Sequence, residues 1–222
     1  MMRSLLLAGA ASALIGAAAP RDWTQTVVAT PEGGFRMGNP DAAVKLIEYG
    51  SLACSHCAEF HQEAKASLLP QVKSGRISYE FRNYVLNVPD MAATVLSRCN
   101  GAASYFRMND AYFTAQAQWL GRVRALPKER LEAIQKLPAE QQLAPFANAA
   151  GLGAIAAKAG LTAAKARQCL AEPGVVDRLV AMKRSAWATY RVRGTPTFIV
   201  NGQPVQGHHW PDLAPHLKPP GS

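Results

Sequence analysis

The chain has 222 residues, 49% of them hydrophobic, enough to bury a sizeable core as one elaborated domain or a domain carrying an insertion. Its 24 lysines and arginines exceed 15 acidic residues for a formal charge of +9, yet they are scattered from Lys45 to Lys218 without a dense block. Phosphate binding wants a clustered basic stripe with stacking aromatics, so nucleic acid is excluded as the partner, and the diffuse charge suits solubility and weak attraction to an acidic membrane surface.

Residues 1–19 join Arg3, an apolar run from Leu5 and a small-residue end at Ala17–Ala19, the layout of a secretory signal. Cleavage is expected after Ala18. No other run approaches the roughly 20 apolar residues of a membrane span, and the leader has no cysteine to take a lipid. An exported chain with four cysteines sits where disulfides persist, which suits a redox enzyme and a structural disulfide equally.

The mature part opens with a strand expected around Thr26–Ala29. Turn-rich Pro31–Gly34 and Gly38–Asp41 come next, with Phe35–Met37 between them as a short edge strand. Val44–Tyr49 is β-branched and aromatic and reads as a buried strand. Glu48 is its exception, either turned to solvent or buried beneath the two thiols of the next segment.

That segment is Cys54-Ser55-His56-Cys57, leading into helical spacing through Phe60, Ala64 and Leu68. A helix start presents unpaired N–H groups and partial positive charge, so a cysteine there ionises more readily than in water. Zinc wants four ligands, usually as paired clusters, and the chain has no second C-x-x-C. His56 is awkward as a third ligand beside the two thiols but well placed to favour a thiolate by charge or hydrogen bonding. Strand, spacing and helix start together point to thiol redox chemistry.

The helix is expected to run past Leu69, be disturbed at Pro70 and end near Ser74–Gly75. Ile77–Tyr84 alternates apolar and polar, so Val44–Tyr84 reads as strand, helix, strand with the two strands parallel. From Asp90 to about Arg191 the spacing predicts five or six helical segments, broken at Gly121, Pro127, Pro138, Gly151 and Gly174. In the last, Val175, Leu179, Met182, Ala186 and Tyr190 share one face, Val176 and Trp187 extend the arc, and Lys183 is expected to snorkel. Gly194-Thr195-Pro196 then enters a hairpin turned at Asn201-Gly202, and a short helix from Pro211 to Leu217 closes the chain.

A C-x-x-C after a strand, a long helical block and a Gly-Thr-Pro at a hairpin entry together resemble the thioredoxin-like superfamily, and more narrowly the DsbA-like thiol:disulfide oxidoreductases of bacterial envelopes. The resemblance implies an α/β thioredoxin-like fold with an inserted all-helical domain: residues 20–88 and 192–222 forming the thioredoxin-like part and 89–191 the insertion. It implies Cys54 as exposed nucleophile, Cys57 as buried resolving thiol, Pro196 as a cis-proline facing their disulfide with Thr195 before it, His56 as the motif histidine, and Glu48 as a buried acid. Ser55 departs from the proline common there. The partners implied are reduced exported proteins and a quinone-linked membrane reoxidant of the DsbB type, with a monomer in the periplasm and no cofactor or metal.

Isomerase or reductase activity on the same fold competes with this. So does a non-catalytic module holding copper or zinc through Cys54, His56 and Cys57 with His208 and His209. Cys99 and Cys169 lie outside the motif in separate helical segments. They are either small buried hydrophobes or, as export and the even count favour, a structural bridge.

Overall fold

The computed structural model describes residues 21–218, so the expected leader lies outside the described residues. A six-stranded sheet runs through the molecule in the order β1, β2, β4, β3, β5, β6. The strands are β1 (Val27–Ala29), β2 (Phe35–Met37), β3 (Val44–Gly50), β4 (Ile77–Asn83), β5 (Thr197–Val200) and β6 (Gln203–Val205). β3 and β4 are parallel with Val44 opposite Ile77, and helix α1 (Ser55–Lys73) makes the crossover. The other pairings are antiparallel. Phe35–Met37 is therefore not an edge: β1 covers it on one side and β4 on the other.

Both faces of the sheet are covered. On one, α1 buries Phe60, Ala64 and Leu68 at four-residue spacing, with the Phe60 ring 4.5 Å from Phe198. Each such large side chain contributes roughly 1.5–3 kcal/mol by leaving water. On the other, Tyr49, Tyr84 and Ile199 pack with Ala186 and Val192. This explains why the alternation in Ile77–Tyr84 misleads: all seven residues of β4 are buried. Two of its polar side chains pair with each other, Arg82 Nε donating to Glu80 Oε1 at 2.7 Å while Thr30 donates to the same oxygen at 2.6 Å.

The helical block contains eight helices, not five or six: α2 (Val88–Arg98), α3 (Ala102–Thr114), α4 (Gln116–Arg124), α5 (Lys128–Gln135), α6 (Ala139–Ala150), α7 (Leu152–Lys158), α8 (Ala163–Leu170) and α9 (Val175–Tyr190). The undercount arises because α3 passes to α4 through Ala115 alone, without a glycine or proline. Gly121, an expected break, lies inside α4 instead. In α9, Val175, Leu179 and Ala186 are buried as expected, but Trp187 is 43% exposed, since a residue next to Ala186 is turned about 100° from the buried stripe. Lys183 does not reach for water: its ammonium donates to the Val85 carbonyl at 2.9 Å and lies 4.8 Å from the Tyr84 ring. The C-terminal turn is α10 (Trp210–Leu213) continued as a 3-10 turn to His216. No helix among the described residues is long and apolar enough to cross a membrane.

Cys99, at the end of α2, and Cys169, in α8, are disulfide-bonded with Cα atoms 5.9 Å apart, within the span a disulfide tolerates. After gentle reduction that opens only the motif pair, thiol counting on denatured protein is expected to find two free thiols; four would mean the bridge is absent.

Candidate active site

The site is built where β3 ends and α1 begins. Gly50 closes β3 because a side chain there would run into the Phe81 ring and the Glu48 carboxyl. The chain then turns through Ser51–Ala53 to Cys54, the N-cap of α1, with Cys57 one turn in. Both thiols are reduced. Cys57 is fully buried, but Cys54 is only 9% exposed, less open than the resemblance implies.

The two thiols are polarised in opposite directions. A hydrogen bond from the Cys57 thiol holds Cys54 down to about 5, with further help from Thr195 and from the N–H groups of Cys57 and His56, against the opposing effect of burial. Those N–H groups do not form a cap hydrogen bond of ordinary geometry, yet they point positive charge at the sulfur. Burial pushes Cys57 well above its usual value, and its hydrogen bond to Cys54 and the nearby Glu48 add to this. His56 thus acts on Cys54 through its backbone. Its imidazole is exposed and lies 6.1 Å from the rings of both His208 and His209.

Across the thiols stands the Thr195–Pro196 peptide, which is cis, with Cys54 Sγ 3.2 Å from the Thr195 carbonyl oxygen. The hairpin that carries this loop turns at Asn201 and Gly202, whose φ angles of 49° and 82° suit the Asn-Gly pair. Glu48 is buried, 2% exposed, beneath the site. Burial raises it to about 8 and the Cys54 charge adds to the rise, while a 2.5 Å hydrogen bond from Tyr79 opposes it. Its other oxygen has no hydrogen-bond partner among the described residues.

Two supporting residues carry no clear signal of this role in the sequence. Asp90, fully buried in the first turn of α2, accepts hydrogen bonds from Ser51 Oγ at 2.6 Å, Leu52 N–H at 3.1 Å and Leu86 N–H at 2.9 Å. It ties Ser51, and the turn before Cys54, to the helical block. Gln116 of α4 donates to the carbonyls of Leu52 and Cys54 at 2.9 and 2.8 Å. Asn87-x-x-Asp90 reads as a helix cap, and Asn87 does cap Asp90 N–H, so the sequence hides the carboxylate's other use. Gln116 has no such pattern around it. Replacing Asp90 with alanine strands two buried donors and a part-buried one and is expected to cost about 3 kcal/mol in urea unfolding, whereas asparagine costs less.

Among the described residues no group of three or more histidines, cysteines or acids is placed to hold a metal ion. A family profile described as Thioredoxin matches residues 30–215. The chain belongs to the thioredoxin family. Within that family it is similar to the crystal structure of a protein-disulfide isomerase from Novosphingobium aromaticivorans, at 26% identity and a TM-score of 0.78 over 83% of this chain and 95% of that one. It also shares the fold of Wolbachia pipientis alpha-DsbA1, with 23% identity and a TM-score of 0.65 over 82% and 87% of the two chains. A Rickettsia bellii relative provisionally named a protein-disulfide oxidoreductase is 25% identical over 183 residues, 80% of this chain and 60% of the relative. The chain spans 52 to 60% of the length of the curated relatives it matches. The thioredoxin-family strand, motif and cis-proline loop are continuous in space here, and the helical insertion closes over them through Asp90 and Gln116.

Proposed function

We propose that this protein is an exported thiol:disulfide oxidoreductase that donates the Cys54–Cys57 disulfide to reduced proteins. The observation that carries the reading is the opposed polarisation of two thiols one helical turn apart, Cys54 held down to about 5 and Cys57 pushed well up. In the oxidised pair a substrate thiolate attacks Cys54 Sγ. The Cys54–Cys57 bond breaks, Cys57 leaves and takes a proton, and Cys54 is joined to the substrate. The substrate's second thiolate then attacks its own sulfur in this mixed disulfide, and Cys54 leaves as thiolate. Two electrons pass from the substrate dithiol to the Cys54–Cys57 pair. A sulfur whose thiol lies near 5 is a good leaving group and stays ionised at neutral pH, so the exchange leans towards oxidised substrate.

Glu48, its carboxyl raised by burial and within electrostatic reach of Cys57, is placed to supply the proton that Cys57 takes. The backbone at Thr195 beside Cys54 accepts an extended substrate segment by strand addition, which needs no particular side chain. Reoxidation by a quinone-linked membrane partner of the DsbB type, action as a monomer and a periplasmic location complete the proposal.

Isomerase activity is the second reading, favoured by the name of the Novosphingobium structure. Alkylating the reduced protein at pH 6 is expected to label Cys54 alone, and the pair's equilibrium with glutathione is expected to lie at the oxidising end. Labelling of Cys57 first sinks the assignment. A potential near that of thioredoxin, with faster repair of scrambled than of reduced substrate, moves it to the second reading.

A further inference from the structure

Helix α9 ends at Arg191, whose φ of 55° lies in the left-handed region where glycine or asparagine is the unstrained choice. The chain then runs through Val192 and Arg193 into the cis-proline loop. Val192 is buried against the sheet with Tyr49 and Ile199, so the arginines on either side of it are turned outward, and both are exposed. Their guanidinium carbons lie 5.5 and 5.4 Å from the ring centroid of Trp187. Two cations therefore share one exposed indole. Among the described residues neither is ion-paired with a carboxylate.

A cation–π contact leaves N–H donors of a guanidinium free, and a free guanidinium fork takes a carboxylate through two parallel hydrogen bonds. A groove of about 250 Å³ leads from these arginines past Pro196 to His208, and no aspartate or glutamate among the described residues lines it. Arg193 precedes Thr195 by two residues. A segment paired on Thr195 passes these guanidinium groups close to its own cysteine.

We infer that Arg191 and Arg193, held over Trp187 beside the cis-proline loop, form a subsite that selects reduced polypeptides with acidic residues flanking the reacting cysteine. This rests on the oxidoreductase reading above. The preference is electrostatic, so it acts mainly on the rate of encounter and is screened by salt.

The test uses three dithiol peptides of equal length, with glutamate, lysine or serine flanking each cysteine, and measures initial rates of oxidation by the oxidised full-length protein. At low ionic strength the glutamate peptide is expected to react about tenfold faster than the lysine peptide, with the two converging as salt approaches about 1 M. The double variant R191N/R193Q, in which asparagine tolerates the left-handed position, is expected to lose most of that ratio while its rate with the serine peptide holds. The control R124Q/R130Q removes the same charge from exposed positions of α4 and α5 and is expected to keep the ratio. Equal rates in the parent protein overturn the subsite. So does a ratio that survives R191N/R193Q as it survives the control, or an equal fall with the serine peptide, which would assign the arginines to loop structure. Failure to oxidise any of the three overturns the oxidoreductase reading itself.

Discussion

Replacing Cys57 with serine is expected to convert the protein into a trap that accumulates a mixed disulfide with its substrate through Cys54. Replacing Cys54 with serine is expected to lower dithiol oxidation by about 10⁴-fold or more, as loss of a nucleophile does. The asymmetry comes from position. Cys54 retains 9% exposure and faces the cis-proline loop, whereas Cys57 has none, so only one sulfur can meet a partner chain. Non-reducing mass analysis of the Cys57→Ser protein after incubation with a disulfide-bonded peptide reads the adduct directly. An adduct in the Cys54→Ser protein, and none in the Cys57→Ser protein, would reverse the roles.

The second large effect is on stability and its dependence on pH. In the reduced protein Cys54 lies near 5 against 9.0 for a free thiol, so between these values the folded chain has lost a proton that the unfolded chain keeps. Stability therefore rises with pH across that window and is lost as pH falls through 5, with a limiting slope of about 1.4 kcal/mol per pH unit that contact with solvent lowers. Glu48 runs the other way. Raised from 4.5 to about 8, it is stabilising while protonated and loses that contribution as pH rises. Asp90, raised from 3.8 to about 6 by burial, behaves alike at lower pH.

Oxidation removes the Cys54 titration and leaves the two carboxyls, and without the Cys54 charge Glu48 titrates lower. Guanidinium unfolding is expected to show the reduced protein more stable than the oxidised one by a margin that widens from pH 5 to pH 8. Glu48→Gln should flatten the decline of the oxidised form. A margin independent of pH would mean that Cys54 is not held as a thiolate.

What the sequence determined is local. The β-branched run Val44–Tyr49, the helix start at Cys54 and the Asn201-Gly202 turn each state their backbone geometry within a few residues, because propensity, capping and left-handed tolerance act over that range. The motif thiols and the Thr-Pro loop could be named for the same reason, and the resemblance placed them opposite each other. Tertiary structure decided what depends on which surfaces meet. Phe35–Met37 looks like an edge until β1 pairs with it, and the polar residues of β4 look solvated until Glu80, Arg82 and Thr30 satisfy one another under cover. Glu48 could face either way on pattern alone, and packing fixed it in the interior, where the cost of charge in an apolar setting sets its proton affinity. Asp90 and Gln116 lie 36 and 62 residues beyond Cys54 and hold its loop through hydrogen bonds that no sequence spacing encodes, since a side chain's partner across the fold is chosen by the packing of whole helices.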